Sequence, residues 1–377
     1  MKNFAVILFE PGMPESVPGI KKNIASLVFP FWGDYNFIDC HLSNFAGYPQ
    51  IPVLIMFLEK QKSLAAKITS LIKKDTVKIV VLENGIHSLI TELNELDVED
   101  FIFLSGSHIA FFETSYLLEN DLLSSHDSVK ISIRNIPLEF YLIKSRTFTS
   151  YLENNLNPNQ EDVDLIEYLF DNVFHPLTEK IVDIPGTVFF HNNLLQFYQS
   201  NLWIINNQFS KEFLKLISFT ATSVLNQNVL NSYIGNGGYI KNSFLGSGVE
   251  IHGIIDNSVI FSNVIIRENT IVKNSVIMNN NRIGKNCTVQ NTIILPFFDE
   301  MQNNYYNIND NVQIGGKLSN IKNNTFPDQI FDGISMIGIN VVIPKNFVIE
   351  HGCCVGSDIS EKEIRRMERL KKGTCLM

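Results

Sequence analysis

Ile337-Gly338-Ile339-Asn340-Val341-Val342-Ile343-Pro344-Lys345-Asn346-Phe347-Val348-Ile349-Glu350-His351-Gly352-Cys353-Cys354-Val355 decides the architecture of the second half of this chain. Ile337, Ile343, Ile349 and Val355 keep a strict six-residue step. Simple strand alternation, with its period of two, does not single out every sixth residue. Stacked hexapeptide coils do, because each coil turns one large aliphatic side chain into a narrow interior at every corner. Upstream the same grammar recurs. Asn-Ser or Asn-Thr pairs begin at Asn242, Asn257, Asn274 and Asn291, at intervals of 15, 17 and 17 residues. Three residues after each Asn stands Leu245, Ile260, Ile277 or Ile294, and Ile260 to Ile266 and Ile277 to Ile283 to Val289 step by six. The spacing predicts a parallel β-helix over 220–377. Its glycines Gly235, Gly246 and Gly284 are expected at tight corners. Residues 296–335 break the step and read as a loop with one remnant coil around Ile308 and Ile314.

The first half reads differently. Phe4 to Phe9, Ile51 to Phe57, Val77 to Leu82 and Phe101 to Leu104 are short continuous apolar runs, the pattern of strands buried on both faces. Val129 to Ile133 and Phe140 to Ile143 add two more. Lys60 to Lys73 places Leu64, Ile68 and Leu71 on one helical stripe, and Asn192 to Ile205 reads as a closing helix. Alternating strands and helices predict a Rossmann-like domain over 1–215 with a mostly parallel sheet. Such sheets bind ligands beyond the carboxyl ends of their strands, so the loops after Phe9 and Leu104 are the ones to inspect.

Composition narrows the function. The 377 residues are 45% hydrophobic, with a net charge of −9. That size supports two domains with substantial cores. An acidic chain has no general affinity for nucleic acid or anionic membranes. Five scattered cysteines without CxxC spacing predict neither a zinc site nor a disulfide framework, and fit a reducing cytoplasm. The apolar run at Phe4 to Phe9 stops at Glu10-Pro11, so no signal peptide is expected, and no segment approaches the ~20 apolar residues of a membrane span.

The stretch Leu27-Val28-Phe29-Pro30-Phe31-Trp32-Gly33-Asp34-Tyr35-Asn36-Phe37-Ile38-Asp39-Cys40-His41-Leu42-Ser43-Asn44 resembles the A-V-P-F-G-G-K-x-R-I-I-D-F-x-L-S-N run of the glucose-1-phosphate adenylyltransferase family. Pro30, Phe31, Gly33, Ile38, Asp39, Leu42, Ser43 and Asn44 coincide without a gap. Hexads such as Asn257-Ser258-Val259-Ile260 and Asn274-Ser275-Val276-Ile277 are similar to the same family. The resemblance covers nearly the whole chain and is nearest to the family's regulatory-subunit branch. It implies a nucleotidyltransferase-like domain followed by a left-handed β-helix.

Carried over residue by residue, the resemblance implies a degenerate site. Active relatives follow the first strand with a G-G-x-G-x-R phosphate loop. Glu10 to Gly19 here holds Pro11, Pro14 and Pro18, which have no N–H to offer, and Glu10 and Glu15, which repel phosphate. Lys21 and Lys22 are the nearby cations, and Ser26 stands where the family has the lysine of a K-P pair. The two metal-binding aspartates correspond to Ser107, in Ser105-Gly106-Ser107-His108, and to Phe190. A sugar-phosphate segment with an E-K-P motif finds no room between the strands at 129–133 and 140–143, which only Arg134 to Glu139 separate. His108 and His191 read as polar rim residues of this pocket. His252, the residue type an acyltransferase β-helix would use as a base, has no evident partner.

Ser360 to Lys372 reads as a C-terminal helix with a Ser360–Glu363 capping box. Arg365, Arg366 and Arg369 on it are candidate contacts for an anionic effector, although basic residues also suit a helix C-terminus. The expectation is a cytoplasmic, non-catalytic subunit with no metal and no cofactor. Its partner would be a catalytic glucose-1-phosphate adenylyltransferase subunit, or a second copy of itself, in an oligomer. One alternative is an active enzyme with a shifted site using Mg²⁺, Lys21, Lys22 and carboxylates such as Asp39 or Asp183. The other is a structural or acyl-transferring β-helix protein.

Overall fold

The computed structural model describes residues 3–10, 27, 29–72, 76–155, 168–178, 180–191, 193–208, 210–219, 230–298 and 306–377. In chain order the strands of the first half are β1 Phe4–Phe9, β2 Pro30–Trp32, β3 Tyr35–Asn36, β4 Val53–Leu58, β5 Val77–Leu82, β6 Asp100–Ser105, β7 His108–Phe112, β8 Ser128–Ile133, β9 Ile136–Lys144, β10 Lys180–Ile184 and β11 Gly186–Phe190. Seven form one sheet in the order β10-β8-β9-β6-β1-β4-β5. All neighbours are parallel except β9, which runs against both β6 and β8.

All six residues of β1 are buried, because both sheet faces are covered. Phe4, Val6 and Leu8 turn to one side, where helices α1 Phe37–Ser43 and α2 Lys62–Leu71 bring Ile38, Leu42, Ala65 and Ile68. Ala5, Ile7 and Phe9 turn to the other, where α3 Ile86–Asn94 and the helix Ser145–Asn155 bring Leu89, Leu93, Phe148 and Leu152. The interval between β8 and β9 is shorter than the sequence reading allowed. Arg134 and Asn135, at φ 54° and 61°, make a two-residue hairpin turn, and 136–139 already belong to β9.

Beyond the helix Lys211–Phe219, short parallel strands from Tyr233 onward wind a left-handed β-helix. Its interior is three aliphatic columns: Leu245, Ile260, Ile277, Ile294, Ile337 and Val355; Ile251, Ile266, Ile283, Ile308 and Ile343; and Ile255, Val272, Val289, Ile314, Ile349 and Leu370. Asparagine, not glycine, takes most corners. Asn257, Asn274 and Asn291 sit at φ 46–49°, and Asn269, Asn286, Asn311 and Asn346 at 57–63°. Asn tolerates this left-handed region and its side chain finds a partner there. Asn257 Nδ2 donates to Asn274 Oδ1 at 2.9 Å, and a second ladder runs Asn269, Asn286, Asn311, Asn346 at 2.9–3.2 Å. Gly246 and Gly284 have a different reason to be glycine. A Cβ on Gly246 would stand 2.7 Å from Ser262 N, and one on Gly284 would stand 2.5 Å from an Asp310 oxygen.

The C-terminal helix is much shorter than expected. Only Glu361–Ile364 is helical, with the Ser360–Glu363 capping box in place. Arg369–Leu370 is a strand paired with Val348–Ile349, because Leu370 fills the next interior position of its column.

The face of the coil that does not point inward joins the two halves. Val259, Val276, Ile293, Met336 and Cys354 alternate with the interior residues and pack on Phe29, Phe31, Trp32, Phe189 and Phe197. Trp32 stacks between Phe111 and Trp203, with centroids 5.7 and 6.1 Å away. At the tip of the β2–β3 hairpin the Asp34 carboxylate accepts from Ser247 N and Ser247 Oγ at 3.0 Å and from Ser262 Oγ. Tyr198 O–H donates to Asn274 O at 2.6 Å. Replacing Asp34 by Ala leaves a backbone N–H and two hydroxyls at this buried joint without their acceptor. The expected loss is about 1–3 kcal/mol, read from urea unfolding. A change below ~0.5 kcal/mol, the usual range for surface substitutions, would show that Asp34 is not holding the joint.

Candidate functional site

The carboxyl ends of β1 and β6 lie side by side, with Phe9 paired to Ser105. Glu10 follows β1 and is fully buried, its Oε2 accepting from Leu27 N at 2.8 Å. Gly106 N donates to Phe9 O at 2.8 Å, and a Cβ at Gly106 would stand 3.0 Å from that same oxygen. Lys21, Lys22 and Ser26 lie outside the described residues, as do Pro11, Pro14, Glu15 and Pro18.

The two positions that the resemblance marks as aspartates do converge. The antiparallel pair β7–β11 sets Phe190 opposite His108, the residue after Ser107. What converges is a hydroxyl and a phenyl ring. Ser107 Oγ accepts from Ser105 Oγ at 2.9 Å, donates to Glu139 Oε2 at 3.1 Å and lies 3.2 Å from His108 Nδ1. Phe190 packs on the sheet core, its ring 6.3 Å from that of His108. Neither position supplies an anionic oxygen, so these residues do not fit a Mg²⁺ ion, which takes carboxylates together with substrate phosphates. Among the described residues no group of three or more His, Cys, Asp or Glu is placed to hold a metal. Glu139 is a carboxylate that sequence reading missed, because it comes from a strand 32 residues away.

The other candidate carboxylates serve the framework. Asp39 is buried and its Oδ2 accepts from Asn36 N at 2.8 Å, closing the cap of α1. Asp183 accepts from Ser132 Oγ and Asn135 N, both at 2.7 Å, and so holds the β8–β9 turn. Arg134 reaches Thr187 Oγ1 at 3.4 Å. The three tail arginines share no helical face. Arg365 pairs with Glu361 at 2.5 Å, Arg369 lies on a strand 3.6 Å from Glu350, and the short helix ends before Arg366. Acidic neighbours and the β-helix register thus leave no assembled triad for an anion. His252 has a partner after all: Glu250 Oε1 stands 2.7 Å from its Nε2 and also accepts from Arg267 Nη1 at 3.0 Å. The i, i+2 spacing on one strand face was the available signal.

His108 and His191 are not rim residues. With His41 from α1 they form a buried imidazole trio, 4, 1 and 1% exposed. Both ring nitrogens of His41 and His191, and Nε2 of His108, make no hydrogen bond within normal geometry. Burial, then repulsion from the His108 imidazole, pushes His41 down to about 3; burial pushes His108 down to about 4. His191 is held well below its ordinary value by burial first and by the other two imidazoles second.

Comparison with known proteins agrees with this fold. Residues 226–326 match the family described as GlmU-like, C-terminal hexapeptide. The chain is also 25% identical over 328 residues to a glucose-1-phosphate adenylyltransferase of Mycoplasma mobile, across 72% of this chain and 84% of that protein. Both likenesses support a tie to the nucleotidyltransferase family. Among the described residues, no helix is long and apolar enough to cross a membrane.

The histidine trio predicts a pH dependence. Unfolded histidine titrates near ~6.5, whereas in the folded protein His41 is held down to about 3, His108 to about 4 and His191 well below its ordinary value. Only the unfolded state takes up protons as pH falls through that window, so stability is complete above ~6.5 and declines below it. The loss between pH 7.5 and 5.5 is about 1.4 kcal/mol per histidine. Urea midpoints of the wild type and His41→Leu check this, the variant showing a shallower slope. Equal stability of the wild type at both pH values would contradict it.

Proposed function

We propose that this chain is a regulatory, non-catalytic subunit that assembles with a catalytic glucose-1-phosphate adenylyltransferase subunit in bacterial glycogen synthesis. It works in the cytoplasm and needs no metal or cofactor of its own. The observation that carries this reading is the pair Ser107 and Phe190. Nucleotidyl transfer needs a cation to offset charge on the transferring phosphoryl group, an effect of roughly several kcal/mol. A serine hydroxyl already engaged with Glu139 and a phenyl ring in the sheet core cannot replace two carboxylates. Around them the described scaffold is kept: residues 29–44, the parallel strand ends and the β-helix joint are in place. An intact scaffold with neutral residues at its metal positions suits a partner that modulates another subunit, and a homo-oligomer is the other assembly compatible with it.

One observation favours the second reading, an active enzyme. The Glu139 carboxylate stands 3.1 Å from Ser107 and could supply a substitute ligand. The assay that separates the two uses the purified chain with ATP, glucose-1-phosphate and Mg²⁺, alone and mixed with a catalytic subunit. The first reading predicts no turnover alone and a changed KM or effector response in the mixture. Turnover by the chain alone, lost in Glu139→Gln, would establish the second reading and overturn the first.

A further inference from the structure

The last two coils of the β-helix place two thiols opposite each other. Cys354 and Cys375 are Cα partners on adjacent parallel strands. Such strands lie about 4.8 Å apart, inside the ~4.4–6.8 Å window that a disulfide spans. Val355 and Leu376 fill the coil interior, so the two cysteines share the opposite face. There they are in side-chain contact with each other. We infer that Cys354 and Cys375 are a reversible oxidation site that closes into a disulfide on encounter with a small-molecule disulfide.

The two cysteines divide the chemistry. Cys375 is half-buried and within reach of solvent, whereas Cys354 is fully buried. Contact with the Cys354 thiol, and to a lesser degree the Thr325 side chain, draws Cys375 down to about 7 against the opposing effect of its burial. Cys375 Sγ lies 3.0 Å from Asn323 Oδ1. The same contact, and then burial, pushes Cys354 up. Cys375 is therefore the attacking thiolate and Cys354 the resolving thiol. The Cys375 thiolate attacks one sulfur of oxidised glutathione and expels one glutathione thiolate, leaving a mixed disulfide. Cys354 then gives up its proton, attacks the Cys375 sulfur and expels the second thiolate. Two protein thiols lose two electrons, and one glutathione disulfide is reduced to two thiols. The other cysteines are poor competitors. Cys40 and Cys287 are buried and pushed up chiefly by burial, and Cys353 is pushed up to about 11 by burial.

The bond would tie the final strand to the coil before it. That strand, Cys375–Leu376, meets the 316–334 loop at Asn323, and the loop also holds the turns beside it: Asn324 N donates to Gly373 O at 2.7 Å and Asn323 Nδ2 donates to Gly352 O at 2.8 Å.

The test incubates the full chain in glutathione redox buffers, traps free thiols by alkylation and maps peptides without reduction. The expected result is a Cys354–Cys375 cross-link with Cys40, Cys287 and Cys353 still free. Amide exchange over 369–377 should slow about tenfold on oxidation, a gain of ~1.4 kcal/mol in local opening. Cys354→Ser should stop at a stable glutathione adduct on Cys375, and Cys375→Ser should not react. Wild-type protein that stays fully reduced in oxidising buffer, pairs other cysteines, or keeps only a mixed disulfide would overturn the inference. The wild-type map stands even where a variant fails to fold.

Discussion

Asp34 is the point on which the two halves depend. Its carboxylate receives a backbone N–H and two hydroxyls from successive coils of the β-helix. An ionised acceptor with several donors is among the stronger contacts a protein can make across a joint. It stands at the tip of a hairpin whose residues Phe31 and Trp32 lie in the aromatic layer between the halves. That layer also holds Phe37 and Cys40 of α1, Ile109 and Phe111 of β7 and Phe189 of β11. The elements that carry His41, Ser107, His108, Phe190 and His191 are thus set in place by the same contact surface.

This placement bears on phosphate chemistry. Asp34 and Asn36 occupy the positions that the 27–44 resemblance writes as Lys and Arg. One anchors the β-helix, and the other joins Asp39 in capping α1. The nearby strand ends add Glu10, Glu139, a serine and a phenyl ring. Three buried, neutral imidazoles lie beside them. Among these described residues none carries a positive charge at neutral pH, and Asp34, Asp39, Glu10 and Glu139 are carboxylates. A polyphosphate needs donors and cations that face the transferring group before it arrives. These residues offer it repulsion and an apolar wall.

Much of this could be read from residues in order. The six-residue steps at Ile337, Ile343, Ile349 and Val355 named the β-helix because each of the three sides of a coil turns one residue into the interior. The continuous apolar run at Phe4–Phe9 named the central strand because both its faces are covered. Other features were set by partners far along the chain. The histidine trio depends on α1, β7 and β11 meeting, which no local pattern announces. Glu139 reached Ser107 only because the Arg134–Asn135 turn is two residues long. The tail showed a good capping box and helical composition, yet Leu370 was claimed by an interior column that local propensity does not see. Corner chemistry was assigned to glycine, where the inter-coil amide ladders make asparagine the better residue.

Calorimetric titration of ATP into the purified chain, with and without Mg²⁺, addresses the electrostatics of this pocket most directly. The structure predicts no heat of binding that depends on the cation. Saturable, Mg²⁺-dependent binding that disappears in Glu139→Gln would contradict the account.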